Sequence, residues 1–162
     1  MSNTARQPER YIYNPEMDPA LFDSILSKRI VAFVIDAILV VALMIPAGLL
    51  VLTLGFVTLG LGWLLFPPLF VIVALTYIGL TLGGRSSATP GMHVTGVQMR
   101  TWSGQRMFPL LAIMHALIFW FSVSLLTPLI LLVGLFTRRR QLLHDLLLGV
   151  VAVNADAAQR RE

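Results

Sequence analysis

Three long apolar runs, separated by shorter polar and basic segments, set the plan of the chain. From Ile30 to Gly84 the only charged residue is Asp36, and from Met107 to Thr137 there is none, His115 being the sole titratable group. A hydrocarbon core about 30 Å thick needs roughly 20 apolar residues in helix to cross it. Runs of this length therefore read as spans, and helix is dictated because an unpaired amide in lipid costs several kcal/mol. The pattern predicts spans over about 30–54, 61–82 and 110–136, with a kink near Pro46 and Gly48 in the first. Pro67 and Pro68 break the ladder near the start of the second.

The flanking segments read differently. Residues 1–17 are polar, hold Pro8 and Pro15, and bury too little apolar surface to offset the entropy of ordering, so they are expected to form a mobile tail. Asp18-Pro19 is a helix start. Leu21, Phe22, Ile25 and Leu26 then share one face, which predicts a short helix lying along the membrane surface. The loop over 83–109 carries Arg85, Arg100 and Arg106 and no acid. In it Val94, Thr95 and Val97 followed by Ser103-Gly104 suggest a small hairpin. Leu142, Leu143, Leu146, Leu147 and Val150 repeat at helical spacing over too few residues to span, which predicts a membrane-associated C-terminal segment. Residues 154–162 are expected as a polar tail. The fold class is thus an all-α membrane protein with about three transmembrane helices, an N-terminal interfacial helix and one membrane domain over 18–153.

Charge orients this plan. Lys28 and Arg29 before the first span, and the arginines of the 83–109 loop, place both segments on the cytoplasmic side by the positive-inside rule. The N-terminus is then cytoplasmic, and the chain is a multi-pass protein of the cell inner membrane. The third run conflicts with this rule. A simple crossing sends Arg138, Arg139 and Arg140 outside, whereas a run of this length is too short to cross twice. Ser122, Ser124, Thr127, Pro128 and Gly134 offer a bend, so the run either crosses or dips and returns as two half-length helices. In the second case Asp145 comes back to the side of Arg29.

Only 12% of residues are charged and 57% are hydrophobic, so lipid is the first partner. The net charge of +4 does not indicate nucleic acid, because the basic residues stand at the ends of apolar runs rather than along one polar face. The chain has no cysteine, which excludes disulfides, thiol chemistry and Cys-based metal centres. The first apolar run lies behind Glu9, Glu16, Asp18 and Asp23 and does not read as a cleavable signal.

An ionisable group at membrane depth costs about 2.5–3.5 kcal/mol on insertion scales, which makes Asp36 the leading candidate for chemistry. Arg29 lies on the same helical face, about 10 Å along the axis, so each is expected to take a partner from another segment. Asp36 reads either as a packing anchor or as a proton or cation site. Asp145 beside His144 is the second acid among apolar residues; it is either solvated at the interface or paired with Arg138 to Arg140, or, where the third run dips back, part of a cluster with Arg29, Asp36 and His144. His115 reads as a core histidine. His93, His115 and His144 are scattered, so no metal and no cofactor is expected. No phosphate loop, nucleophile elbow or zinc-protease pattern occurs, and no enzymatic activity is expected.

The segment Ser27-Lys28-Arg29-Ile30-Val31-Ala32-Phe33-Val34-Ile35-Asp36, the Thr89-Pro90-Gly91 before Val94 and Gly96, and the run from Leu142 through His144-Asp145 to Val153 occur in this order. Together they resemble the RDD membrane proteins of bacteria, named for one arginine and two aspartates. The chain departs from that pattern at Met92, where a basic residue is usual. The resemblance implies about three spans and carries Arg29, Asp36 and Asp145 over as signature residues. It also implies an association of a few members with exchange of sodium or other cations for protons. Two functions are therefore expected: a transport-related protein in which Asp36 exchanges a proton for a monovalent cation, or a non-catalytic scaffold or assembly partner. Three spans are few for alternating access, so a homo-oligomer or a membrane partner protein is expected as well.

Overall fold

The computed structural model describes residues 19–136 and 141–160. The expected tail, Asp18 and Arg138 to Arg140 lie outside these residues. Helix α1, Ile25–Val57, is 33 residues long and continues past Pro46, which at 1.5 Å per residue gives about 50 Å. Only 11% of its most apolar window is buried, and Ile38, Val41, Ile45 and Leu50 stand exposed. Side chains of this kind facing outward along a whole helix match a lipid surround. The helical stretch Pro19–Val57, which contains α1, is long and apolar enough to cross a membrane.

The second expected span begins later than its hydropathy suggests. Leu61–Leu65 is a 3₁₀ turn folded back on α1, and helix α2 is confined to Leu69–Thr81, past Pro67 and Pro68. Two prolines in succession remove two donors and exclude α-helix before them, which shortens the element. The fold-back is close because Gly55 and Gly62 meet with no side chain between them: a Cβ on Gly62 would lie 2.6 Å from the Gly55 nitrogen. The Trp63 ring occupies the space beside Gly55.

The predicted interfacial helix is replaced by a 3₁₀ turn, Pro19–Leu21, and a bend at Ser24, whose φ of 52° separates it from α1. Leu21, Phe22 and Ile25 are buried, though not in lipid. Leu21 and Phe22 pack beneath a two-stranded sheet, with Val151, Val153, Ala157 and Ala158. That sheet is the other departure from the all-helical expectation in a mostly helical chain. Helix α3, Pro90–Thr95, leads through Gly96 into strand β1, Val97–Thr101. Its partner is not a neighbouring loop strand; it is β2, Val150–Asn154, antiparallel, with Met99 opposite Ala152. The hairpin expected at Ser103-Gly104 survives as a turn with a single bridge from Arg100 to Arg106.

Helix α4, Pro109–Phe136, is one 28-residue element and not two half-length helices. Helix α5, Leu143–Leu148, follows, and helix α6, Ala155–Gln159, takes the place of the expected polar tail, with Ala157 and Ala158 buried. Gln141 donates to the Val150 carbonyl at 2.6 Å. The C-terminal segment from Gln141 therefore stands beside the 83–109 loop, at the Arg29 end of the molecule. Asn154 fastens it there: its amide donates to the carbonyls of Ala20 and Asp23, and its oxygen accepts from Lys28 Nζ at 2.6 Å.

Helix α1 and the loop approach closely at Gly91, where an added Cβ would lie 2.3 Å from the Ala32 carbonyl oxygen and 2.9 Å from Asp36 Cγ. Backbone cannot yield as a flexible side chain can. Gly91→Ala is expected to destabilise the fold by about 1–3 kcal/mol. The thermal midpoint in detergent checks this, and an unchanged midpoint would contradict the close approach.

Candidate functional site

Two separate polar centres are built on the apolar frame. The first surrounds Asp36, three turns into α1. Its Oδ1 accepts from Tyr77 Oη at 2.6 Å and from the Gly91 backbone N–H at 2.8 Å, and its Oδ2 accepts from Thr89 Oγ1 at 2.5 Å. The Thr-Pro-Gly sequence explains the arrangement locally. Thr89 is the N-cap of α3, its hydroxyl oxygen accepting from Met92 N–H while its proton goes to Asp36. Pro90 at the first helical position has no donor to lose, and Gly91 lets the free N–H approach the carboxylate. One acid thus joins α1, α2 and α3.

The second centre is Asp145, with no exposed side-chain surface. Arg29 clasps it with both terminal nitrogens, Nη1 to Oδ2 at 2.5 Å and Nη2 to Oδ1 at 3.1 Å. Oδ2 also accepts from Leu142 N–H at 3.0 Å, which caps the start of α5. His115 Nε2 lies 2.8 Å from Oδ1 and His144 Nε2 lies 3.4 Å from it. The rings of His115 and His144 meet edge to face at 4.6 Å, and Phe119 closes the other side of His144 at 5.1 Å.

Burial alone would push the Asp145 carboxyl up, but the Arg29 guanidinium and the His115 hydrogen bond outweigh it and hold the acid far below the usual carboxylate range. Asp145 is then ionised, so His115 Nε2 is the donor. Burial pushes His144 down to about 3, against the attraction of Asp145 and with the help of His115 and Arg29. His144 is a neutral imidazole, and its Nδ1 is buried without a hydrogen-bond partner among the described residues.

Arg29, Asp145 and His144 therefore come together as one of the two sequence alternatives required, whereas Asp36 does not join them. Each of Arg29 and Asp36 takes a partner from another segment. Tyr77 received no role in the sequence, His115 was read only as a core histidine and Thr89 only as part of the Thr-Pro-Gly motif, so none was linked to its acid. The order Thr-Pro-Gly is a capping signal that could have pointed to Thr89. Nothing in the spacing links His115 to Asp145.

One observation bears on the expectation that no metal is held. His115, His144 and Asp145 offer ligand atoms within 4.8 Å of one another, a donor set suited to a divalent transition metal. Arg29 opposes it, because a cation would enter beside a guanidinium already bound to both carboxylate oxygens.

The RDD family is matched over residues 25–149, from the start of α1 to the glycine that ends α5. The chain belongs to the RDD family. This RDD-family membrane protein places the three signature residues of the resemblance in two clasps rather than one. No curated protein and no solved structure matches the chain.

Proposed function

We propose that this RDD protein is a non-catalytic, multi-pass protein of the inner membrane that holds a small cytoplasmic sheet unit rigidly against its helices as an assembly platform. Its partner on this reading is another membrane protein or a second copy of the chain. The observation that carries the reading is the saturation of both acids. Asp36 and Asp145 spend their oxygens on donors from α1, α2, α3, α4 and α5, so each charge acts as a fastening between segments.

Exchange of a proton for a monovalent cation at Asp36 is the second reading. The convergence of Asp36, Tyr77 and Thr89 oxygens supports it, since hard cations take oxygen ligands. It requires Asp36 to release donors that now hold α3 in place. Asp36→Asn separates the two, because the amide oxygen still accepts from Tyr77 and Gly91 while the charge is gone. In vesicles with a pH gradient and sodium or potassium, wild type and Asp36→Asn are both expected at the background of empty vesicles. Cation-dependent proton flux by the wild type that Asp36→Asn abolishes would overturn the platform reading in favour of transport.

A further inference from the structure

We propose that the face of β1 opposite its buried apolar side carries a site for a phosphate group, and that the group belongs to an anionic phospholipid of the adjoining leaflet. A cavity of about 190 Å³ lies there, lined by Arg85, His93, Gln98, Arg100, Arg106 and Gln159 among others, with no acid among the described residues of its wall. Gln98 and Arg100 are two apart on the strand and so share a face. Arg106 bridges to Arg100 and joins that face, while Arg85 enters from the turn after α2.

The donors of this cavity outnumber its acceptors. Arg100 Nη2 lies 3.4 Å from Gln98 Oε1, which fixes the amide with its nitrogen away from Arg100. That Nε2 is buried and has no hydrogen-bond partner among the described residues, on a residue 5% exposed. The side chains of Arg85 and Arg106 have neither an ion pair nor a hydrogen bond among the described residues. A buried amide donor and two open guanidinium forks around one cavity call for a ligand that only accepts and carries negative charge. A tetrahedral phosphate, with several oxygens at one centre, meets donors arriving from different walls.

Position selects the source. Arg85 follows the end of α2 at Thr81 and Arg106 precedes the start of α4 at Pro109. The donors therefore stand level with the ends of two apolar helices, where lipid phosphates lie. Basic pockets at helix ends recognise such headgroups.

The test uses the purified full chain in neutral detergent, titrated with phosphatidylglycerol, with phosphatidylcholine and with inorganic phosphate, reading the thermal midpoint. Phosphatidylglycerol is expected to raise the midpoint, and Arg106→Gln to weaken its apparent affinity about tenfold or more. Arg160→Gln removes the same charge outside the cavity and is expected to leave the affinity unchanged. Arg85→Gln, on the opposite wall, is expected to repeat the loss, which keeps the test open if Arg106→Gln does not fold. Saturation by inorganic phosphate with the same arginine dependence supports the site and reassigns its source to the free ion. Equal losses in Arg106→Gln and Arg160→Gln, or no shift with any of the three additions, would overturn the site.

Discussion

Arg29→Ala is expected to destabilise the folded protein by about 3–5 kcal/mol, the usual consequence of leaving one member of a buried ion pair without the other. Asp145 has no exposed side-chain surface and draws two bonds from Arg29, so its charge would lose its main partner inside the fold. The loss is further expected to release α5 from α1, because Asp145 is also the residue that caps α5. Asp145→Asn should fall in the same range, since it leaves Arg29 facing a neutral amide. Removing both charges together, as Arg29→Met with Asp145→Leu, should cost less than the sum of the two single changes. Denaturant or thermal unfolding in detergent measures all three. A loss below about 1 kcal/mol for Arg29→Ala, typical of an exposed pair, would show that the clasp is solvated.

A second large effect is expected from acid. The unfolded chain protonates His144 near the ordinary imidazole value of 6.5, whereas the folded chain refuses the proton until about 3. The unfolded state therefore binds more protons across that window, and stability falls as pH falls. The slope approaches about 1.4 kcal/mol per pH unit, so the loss from pH 6.5 to 4.5 is about 2–3 kcal/mol. His144→Phe, against Phe119 and with no proton to take up, should remove this component. Asp145 acts in a lower window: its depressed acid contributes stability that is present above about pH 4 and is lost below it. Melting curves of wild type and His144→Phe between pH 7 and 4.5 isolate the histidine. Parallel pH profiles for the two proteins would contradict the neutral buried imidazole.

The residues most legible in the sequence were those that broke a rule of composition. Asp36 interrupts a long uncharged run, and Asp145 stands among leucines, so both declared themselves through the cost of burying charge. Their partners were hidden for a physical reason. Tyr77 and Thr89 are common residues in apolar runs and loops, and His115 lies 30 positions from Asp145, beyond any local period. The sheet was hidden as well. Strand β2 is buried at all five positions and β1 at four of five, so neither alternates, and a short unbroken apolar stretch cannot be told from helix by period. The late start of α2 follows from Pro67-Pro68, which the hydropathy of the surrounding leucines and phenylalanines outweighed in setting the expected span. The course of the chain after α4 was left open because the charge of Arg138 to Arg140 favoured a return to the Arg29 end while the length of the run opposed it; the pairing of β2 with β1 that brings it back has no local signal.

The Arg29 clasp joins residues 116 positions apart, and this has a consequence for synthesis. At about 5–20 residues per second, Asp145 leaves the ribosome on the order of 6–20 s after Arg29. Throughout that interval the Arg29 guanidinium lacks the acid that clasps it in the folded chain. The same side chain thus serves as a latch only afterwards. Closure of the clasp therefore waits for the late-emerging Asp145 of α5 and follows the synthesis of everything between it and α1.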